Sequence, residues 1–260
     1  MARVSVTIEN HIAHVTLTRG DKMNALDPEM VDEIIAAGHS LLDSPARAVV
    51  LSGEGKSFCA GLDVASFAQM GLQDPTDWLM TRSHQDANEM QEMALVWRRL
   101  PMPVIAALHG VAFGGGLQLA LAADMRICAP DARLSIMEMK WGLLPDMGGM
   151  VLLPRLLRSD VLRRLTYTAE EISALQALDW GLVTELDDDP LERAQALATK
   201  IAGQSPRAIR AAKALIERAE TAGREEVLIE ESRLQASLLG KPEQMEVVAA
   251  QMQKRAPKFD

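Results

Sequence analysis

The chain has 260 residues, 48% of them apolar and 24% charged, enough to bury a large core without a disulfide or metal staple. Its 27 basic against 36 acidic residues leave a net charge of −9, which argues against a nucleic-acid or anionic-membrane partner. Two distant cysteines, Cys59 and Cys128, form no metal-ligand cluster, and no basic-then-apolar leader opens the chain, so the expectation is a reduced, cytoplasmic protein.

Residues 4–9 and 14–18 alternate apolar and polar side chains, which predicts a hairpin of two strands turning at 10–13. Asp27-Pro28 pairs a good N-cap with a residue suited to the first helical position, so a helix should run to about residue 43. Residues 48–52 (AVVLS), 104–108 (VIAAL) and 125–129 (MRICA) are short apolar runs of the kind buried on both faces of a sheet. Between them, residues 66–86 read as a loop or short helix, and a helix follows over about 84–100, stopped by Pro101 and Pro103. Strands alternating with helices predict an α/β fold. The apolar run 103–123 carries His109, Gln118 and three glycines, and reads as strand, turn and helix rather than as a membrane span.

From residue 159 onward the pattern reads as wholly helical. Capping boxes are expected at 168–171 and 173–176, and Gly181 should close a helix. Asp189-Pro190, Ser205-Pro206 and Lys241-Pro242 should each open one. The expected organisation is an α/β core over 1–158 carrying the active site, followed by a helical region over 159–260.

Two glycine-containing turns each follow an apolar strand: Phe58-Cys59-Ala60-Gly61-Leu62-Asp63, and residues 109–118, which include Gly114-Gly115-Gly116. Small residues let a ligand approach the backbone, and free amides at a helix start favour a developing negative charge. The same turns would equally serve tight packing of helix on strand. No GxSxG is present, and Gly55-Lys56-Ser57 lacks the upstream glycine of a phosphate-binding loop.

FCAGLD (58–63), HGVAFGGGLQLALAADMRI (109–127), ARLSIMEMKWGLLPDMGG (132–149), TAEEISALQALDWGLV (168–183) and QKRAPKF (253–259), in that order and spacing, resemble the enoyl-CoA hydratase/isomerase (crotonase) superfamily. The resemblance implies a spiral of ββα units with a C-terminal helical region that forms trimers, often paired into hexamers. It implies an acyl-coenzyme A thioester as substrate, with coenzyme A as part of that substrate and no tightly bound cofactor or metal. The backbone amides of Leu62 and Gly115 match the family's oxyanion hole. Glu138 matches its acid-base glutamate. Gln118 stands where hydratases carry a second glutamate, and as an amide it can position but not titrate. Asp146 stands where hydratases usually have glycine; with Glu138 it resembles the proton-shuttling pair of the dienoyl-CoA isomerase branch, in which an aspartate occupies position 118.

Lys22, Ala25, Ala60 and Asp63 match the loops beside coenzyme A, and Lys254 and Lys258 match a tail that approaches its phosphates from a neighbouring subunit. Met70, Trp78, Met80, Met90, Met93 and Trp97 are candidates for the acyl pocket. The expected activity is hydratase/isomerase chemistry, with isomerisation favoured by Glu138 and Asp146. The alternatives are hydrolysis or dehalogenation through Asp146 as nucleophile, with His84 and Trp141 as possible helpers, and a non-catalytic coenzyme A-binding scaffold. Asp146 could also simply cap a helix.

Overall fold

The computed structural model describes residues 2–66 and 74–259. Strands β1 (Val4–Glu9) and β2 (Ile12–Leu17) form the expected hairpin. Its turn is only Asn10-His11, both at positive φ, the geometry of a two-residue hairpin, so β2 begins two residues earlier than the alternation predicts. Helix α1 (Pro28–Leu41) is capped by Asp27, whose Oδ1 accepts from the Met30 amide at 2.9 Å. Strand β3 (Ala48–Gly53) follows.

A six-residue helix, α2 (Pro75–Met80), lies within the stretch read as loop or short helix. Helix α3 (Glu89–Arg98) starts later than expected because His84 and Ala87 close a tight turn first. Its N-terminus is a complete capping box of Asn88 and Gln91. Next come β4 (Val104–Leu108), β5 (Val111–Phe113), α4 (Gly115–Leu121), β6 (Met125–Cys128), β7 (Arg133–Ser135) and a 3-10 turn at Glu138–Trp141. Helices α5 (Gly149–Leu156) and α6 (Ser159–Thr168) complete this part.

The region beyond 159 is not wholly helical. Strand β8 (Ile172–Ser173) pairs with β7, and β9 (Glu185–Leu186) pairs with β6, so both sheets reach past the expected boundary. The 168–171 capping box does not form either. Thr168 ends α6, Ala169 adopts the left-handed conformation, and Glu170 is drawn onto Arg164 at 2.6 Å. The second box, Ser173 with Gln176, does form and opens α7 (Ala174–Trp180), which Gly181 closes at φ +90°. Helices α8 (Pro190–Ala202), α9 (Pro206–Ala219), α10 (Arg224–Leu238) and α11 (Pro242–Met252) follow, three of them with proline in the first turn.

The main sheet has the order β1-β2-β3-β4-β6-β9, parallel except for the β1–β2 pair. Alternate residues face opposite ways. Val15, Val49, Leu51, Val104 and Ala106 enter the larger core with α1, α3 and α4. Ile12, Ala48, Val50, Ile105 and Ile127 face α8, whose Ala194, Ala198 and Ala202 form a small-residue stripe against them. A second sheet, β5-β7-β8, stands beside the main one and turns the chain toward the site.

Candidate active site

The two glycine turns lie side by side. Cys59 bridges Ala112, with the Cys59 amide donating to Val111 O at 3.1 Å and the Phe113 amide to Cys59 O at 3.1 Å. Gly61 sits at φ +88°, and a Cβ there would stand 2.6 Å from Phe113 O. Gly114 combines φ +50° with ψ −122°, a conformation reserved for glycine. Glycine is therefore required at position 61 by both dihedral angle and space, and at position 114 by dihedral angle.

This contact orients the two expected donors. Leu26 donates to Gly61 O and accepts from the Asp63 amide, so Leu62 turns its own N–H to the opposite side. Gly115 is the first residue of α4, where no helical acceptor exists for its N–H. The Cβ position of Gly61 lies 3.6 Å from Gly115 N, so the two turns abut beside the pocket that both Leu62 and Gly115 line. Neither N–H has a protein acceptor among the described residues.

Around them is a pocket of about 580 Å³ that includes Leu62, Gly115, Glu138, Asp146, Trp141 and Met147 in its wall. Glu138 is 9% exposed and starts the 3-10 turn after β7. Its Oε1 accepts from Gln118 Nε2 at 2.6 Å, while its Oε2 is buried without a hydrogen-bond partner. Burial is the main reason its pKa is raised; the nearby Asp146 charge adds to this, and the Gln118 hydrogen bond opposes it. Asp146 opens toward solvent on one side, yet the pocket wall desolvates its carboxyl enough to raise its pKa too. It caps no helix: α5 is entered through Gly148.

Gln118 is 2% exposed, with its amide oxygen and one of its two Nε2 hydrogens engaged. Its Oε1 accepts from the amides of Met147 and Gly149, both at 2.9 Å. Two N–H donors converging on one atom identify it as the amide oxygen, so Nε2 must face Glu138. The side chain thus ties α4 to the Glu138 carboxylate and to the turn following Asp146. Its oxygen holds this turn, so any positioning of a water or substrate falls to the second Nε2 hydrogen.

The resemblance-derived binding residues separate into two groups. Ala60 lines the pocket, and its amide donates to Met23 O at 2.9 Å. Ala25 and Asp63 are joined by Arg19, whose Nη1 reaches Ala25 O at 2.9 Å and Asp63 Oδ2 at 2.7 Å. The Arg19 guanidinium holds the Asp63 carboxyl below the usual carboxylate range, so this pair fastens the loop rather than binding by a free charge. Lys22 is exposed at the end of a short 3-10 turn. Lys254 and Lys258 are not in the pocket wall of their own chain; the tail folds back, with Arg47 donating to Phe259 O at 3.0 Å.

The acyl-pocket expectation needs correction. Met93 and Trp97 are fully buried core residues, Met90 packs against the core, and Trp78 and Met80 lie outside the pocket wall. Met70 falls outside the described residues. Most of the apolar lining comes instead from Met137, Trp141, Leu143, Leu144 and Met147, within the segment that bears both carboxylates, joined by Leu62 and Val64 from the first turn. That cluster is contiguous in the sequence as MEMKWGLLPDM, but no helical or strand period marks it as a pocket wall. Of the possible nucleophile helpers, Trp141 lines the pocket, whereas His84 bonds Ser83 and stacks near His39, away from it. The Cys59 thiol, pushed up to about 12 by burial, is no nucleophile.

The enoyl-CoA hydratase/isomerase family profile matches residues 7–260. The chain belongs to this family. Among enoyl-CoA hydratase/isomerase relatives, it is 36% identical to the mitochondrial Delta(3,5)-Delta(2,4)-dienoyl-CoA isomerase of Rattus norvegicus, over 79% of this chain and 65% of that protein's length. It is 34% identical to the (E)-benzylidenesuccinyl-CoA hydratase of Thauera aromatica, over 81% of this chain and 80% of the relative. Among solved structures, the putative enoyl-CoA hydratase of Streptomyces coelicolor A3(2) superposes with a TM-score of 0.91 at 33% identity, covering 99% of this chain and 94% of that one. The mixed α/β architecture is thus that of the crotonase-like enoyl-CoA hydratases, and the chain is an enzyme of that family. Among the described residues no helix is long and apolar enough to cross a membrane.

Proposed function

We propose that the pocket isomerises an unsaturated acyl-CoA thioester, moving a conjugated 3,5-diene to the 2,4 position. The observation that carries this reading is the identity and placement of the titratable groups. Glu138 and Asp146 share the pocket wall, and the third candidate position is held by a Gln118 that cannot titrate and is already committed. Addition of water normally calls on one group to activate the water and another to supply the proton. Double-bond migration also needs a base and an acid, but at opposite ends of the diene and with no water held between them, which suits Glu138 and Asp146 without a second glutamate at position 118.

The thioester oxygen would sit on the Leu62 and Gly115 amides. Glu138 Oε1 is 3.4 Å from the Cβ position of Gly114, which supports a place beside that hole, and its unpaired Oε2 would take the α-proton. The electron pair of that C–H bond then moves toward the thioester, and negative charge builds on the oxygen facing the two N–H groups. Protonated Asp146 gives its proton to the distal carbon of the diene, and the double bonds settle next to the carbonyl. Glu138 ends protonated and Asp146 ionised; return of a proton between them, directly or through solvent, resets the site. Burial raises both carboxyls and the Asp146 charge raises Glu138 further, which supports the pair sharing one proton.

Lys22, with Lys254 and Lys258 of a neighbouring copy, would meet the phosphates of coenzyme A in a trimer or pair of trimers, with the 159–260 region supplying the contacts. The decisive experiment incubates the protein with 2-enoyl-, 3-enoyl- and 3,5-dienoyl-CoA esters in deuterium- and oxygen-18-labelled water. Deuterium in a product with a shifted diene and no oxygen gained is the expected result. Oxygen-18 retained in an acyl-CoA product would establish hydration instead.

A further inference from the structure

A second groove, of about 1060 Å³, adjoins the catalytic pocket and shares Leu143, Leu144 and Asp146 with it. Its remaining wall includes Leu79 at the end of α2, Met139 in the 3-10 turn, and Asn88 and Gln91 at the start of α3. The polar members are already engaged with the protein. Asn88 accepts from the Gln91 amide and donates to Leu79 O, each at 2.9 Å. Gln91 Oε1 accepts from the Asn88 amide at 3.0 Å and from Arg82 at 3.2 Å. The apolar members, by contrast, face solvent: Leu144 is 63% exposed, Leu143 45% and Met139 41%. Large apolar side chains gathered at the mouth of a pocket mark an apolar ligand.

We propose that the two cavities are one continuous acyl track, and that the substrate carries a long aliphatic tail lying past Asp146 on Leu79, Met139, Leu143 and Leu144. This rests on the reading of the pocket as a thioester site. Asp146 stands at the junction, so carbons beyond the diene enter the groove as the acid delivers its proton. A short acyl group would end at Asp146 and leave the groove to water. Each methylene placed there gains about 0.8 kcal/mol, roughly a fourfold increase in affinity.

The test measures dissociation constants of saturated, unreactive acyl-CoA esters from butanoyl to tetradecanoyl, for the wild type, Leu79→Asp and Leu79→Met. In the wild type the affinity should rise by about threefold to fourfold per methylene well beyond hexanoyl. L79D should flatten that slope and L79M should keep it. An affinity that levels off at hexanoyl, or an L79D slope equal to the wild type, overturns the proposal. So does an L79D variant that changes the assembly mass while its slope is intact, because the patch is then a subunit contact. The saturated esters undergo no reaction, so the two readings fail separately. No deuterium exchange on any dienoyl ester, with the slope intact, removes the isomerase and leaves the track. No binding of any ester removes both.

Discussion

The two oxygens of Glu138 have different surroundings, and that difference sets its chemistry. Oε1 is tied to Gln118, whereas Oε2 is buried and unpaired, so the proton is best carried on Oε2. Replacing Glu138 by Gln should abolish most turnover while circular dichroism shows the fold retained. As a base, Glu138 must be ionised, so activity should fall as pH drops through a pKa above the ordinary 4.5. Stability runs the other way. A carboxyl whose folded pKa is raised contributes most below its unfolded pKa and loses that contribution as pH rises through the folded one. The difference in Tm between E138Q and wild type should therefore shift in favour of the variant as pH climbs through this window. At Gln118, Met would leave the Met147 and Gly149 amides without an acceptor. With about 1–3 kcal/mol per unmet buried group, Q118M should lower stability by about 2 kcal/mol or more in denaturant unfolding, and should lower turnover as Glu138 loses its anchor. That Leu62, Gly115, Glu138 and Asp146 meet in one pocket wall was legible because each sits in a family-like motif. The double engagement of Gln118 was not, since it depends on two amides 29 and 31 residues downstream.

Local signals read well wherever a cap or a breaker was involved. Asp27, Ser173 with Gln176, and the prolines at 190, 206 and 242 all mark observed helix starts. They misled at Thr168, where a pattern of the same kind ends a helix: Ala169 turns left-handed, and Glu171, which would close the box, pairs with Arg133 at 2.7 Å. The two-residue strands β8 and β9 carry too few residues for any period to show, and partners far back in the chain create them. Among the helices, α8 offers the sharpest test of packing. Ala198 is fully buried against the sheet. Ala198→Leu should force the helix outward and cost about 1–3 kcal/mol, seen as a lower midpoint in chemical denaturation.

The described surface carries large apolar side chains on its last three helices: Ile216 and Ile229 are each 61% exposed and Met252 82%. Such surface calls for cover. In light scattering the expected mass is three or six times the 28.4 kDa of one chain, and an Ile229→Glu variant should shift it downward. The alanine stripe of α8 has a further consequence, one of timing. The face of the main sheet formed by Ile12, Val50, Ile105 and Ile127 is complete once Cys128 has been made, yet the helix that covers it begins at Pro190. Some sixty residues separate them, which at roughly 5–20 residues per second is about 3–12 s of synthesis. During that interval the nascent chain presents a bare β-surface on the ribosome, and a chaperone that holds apolar strands has its window there.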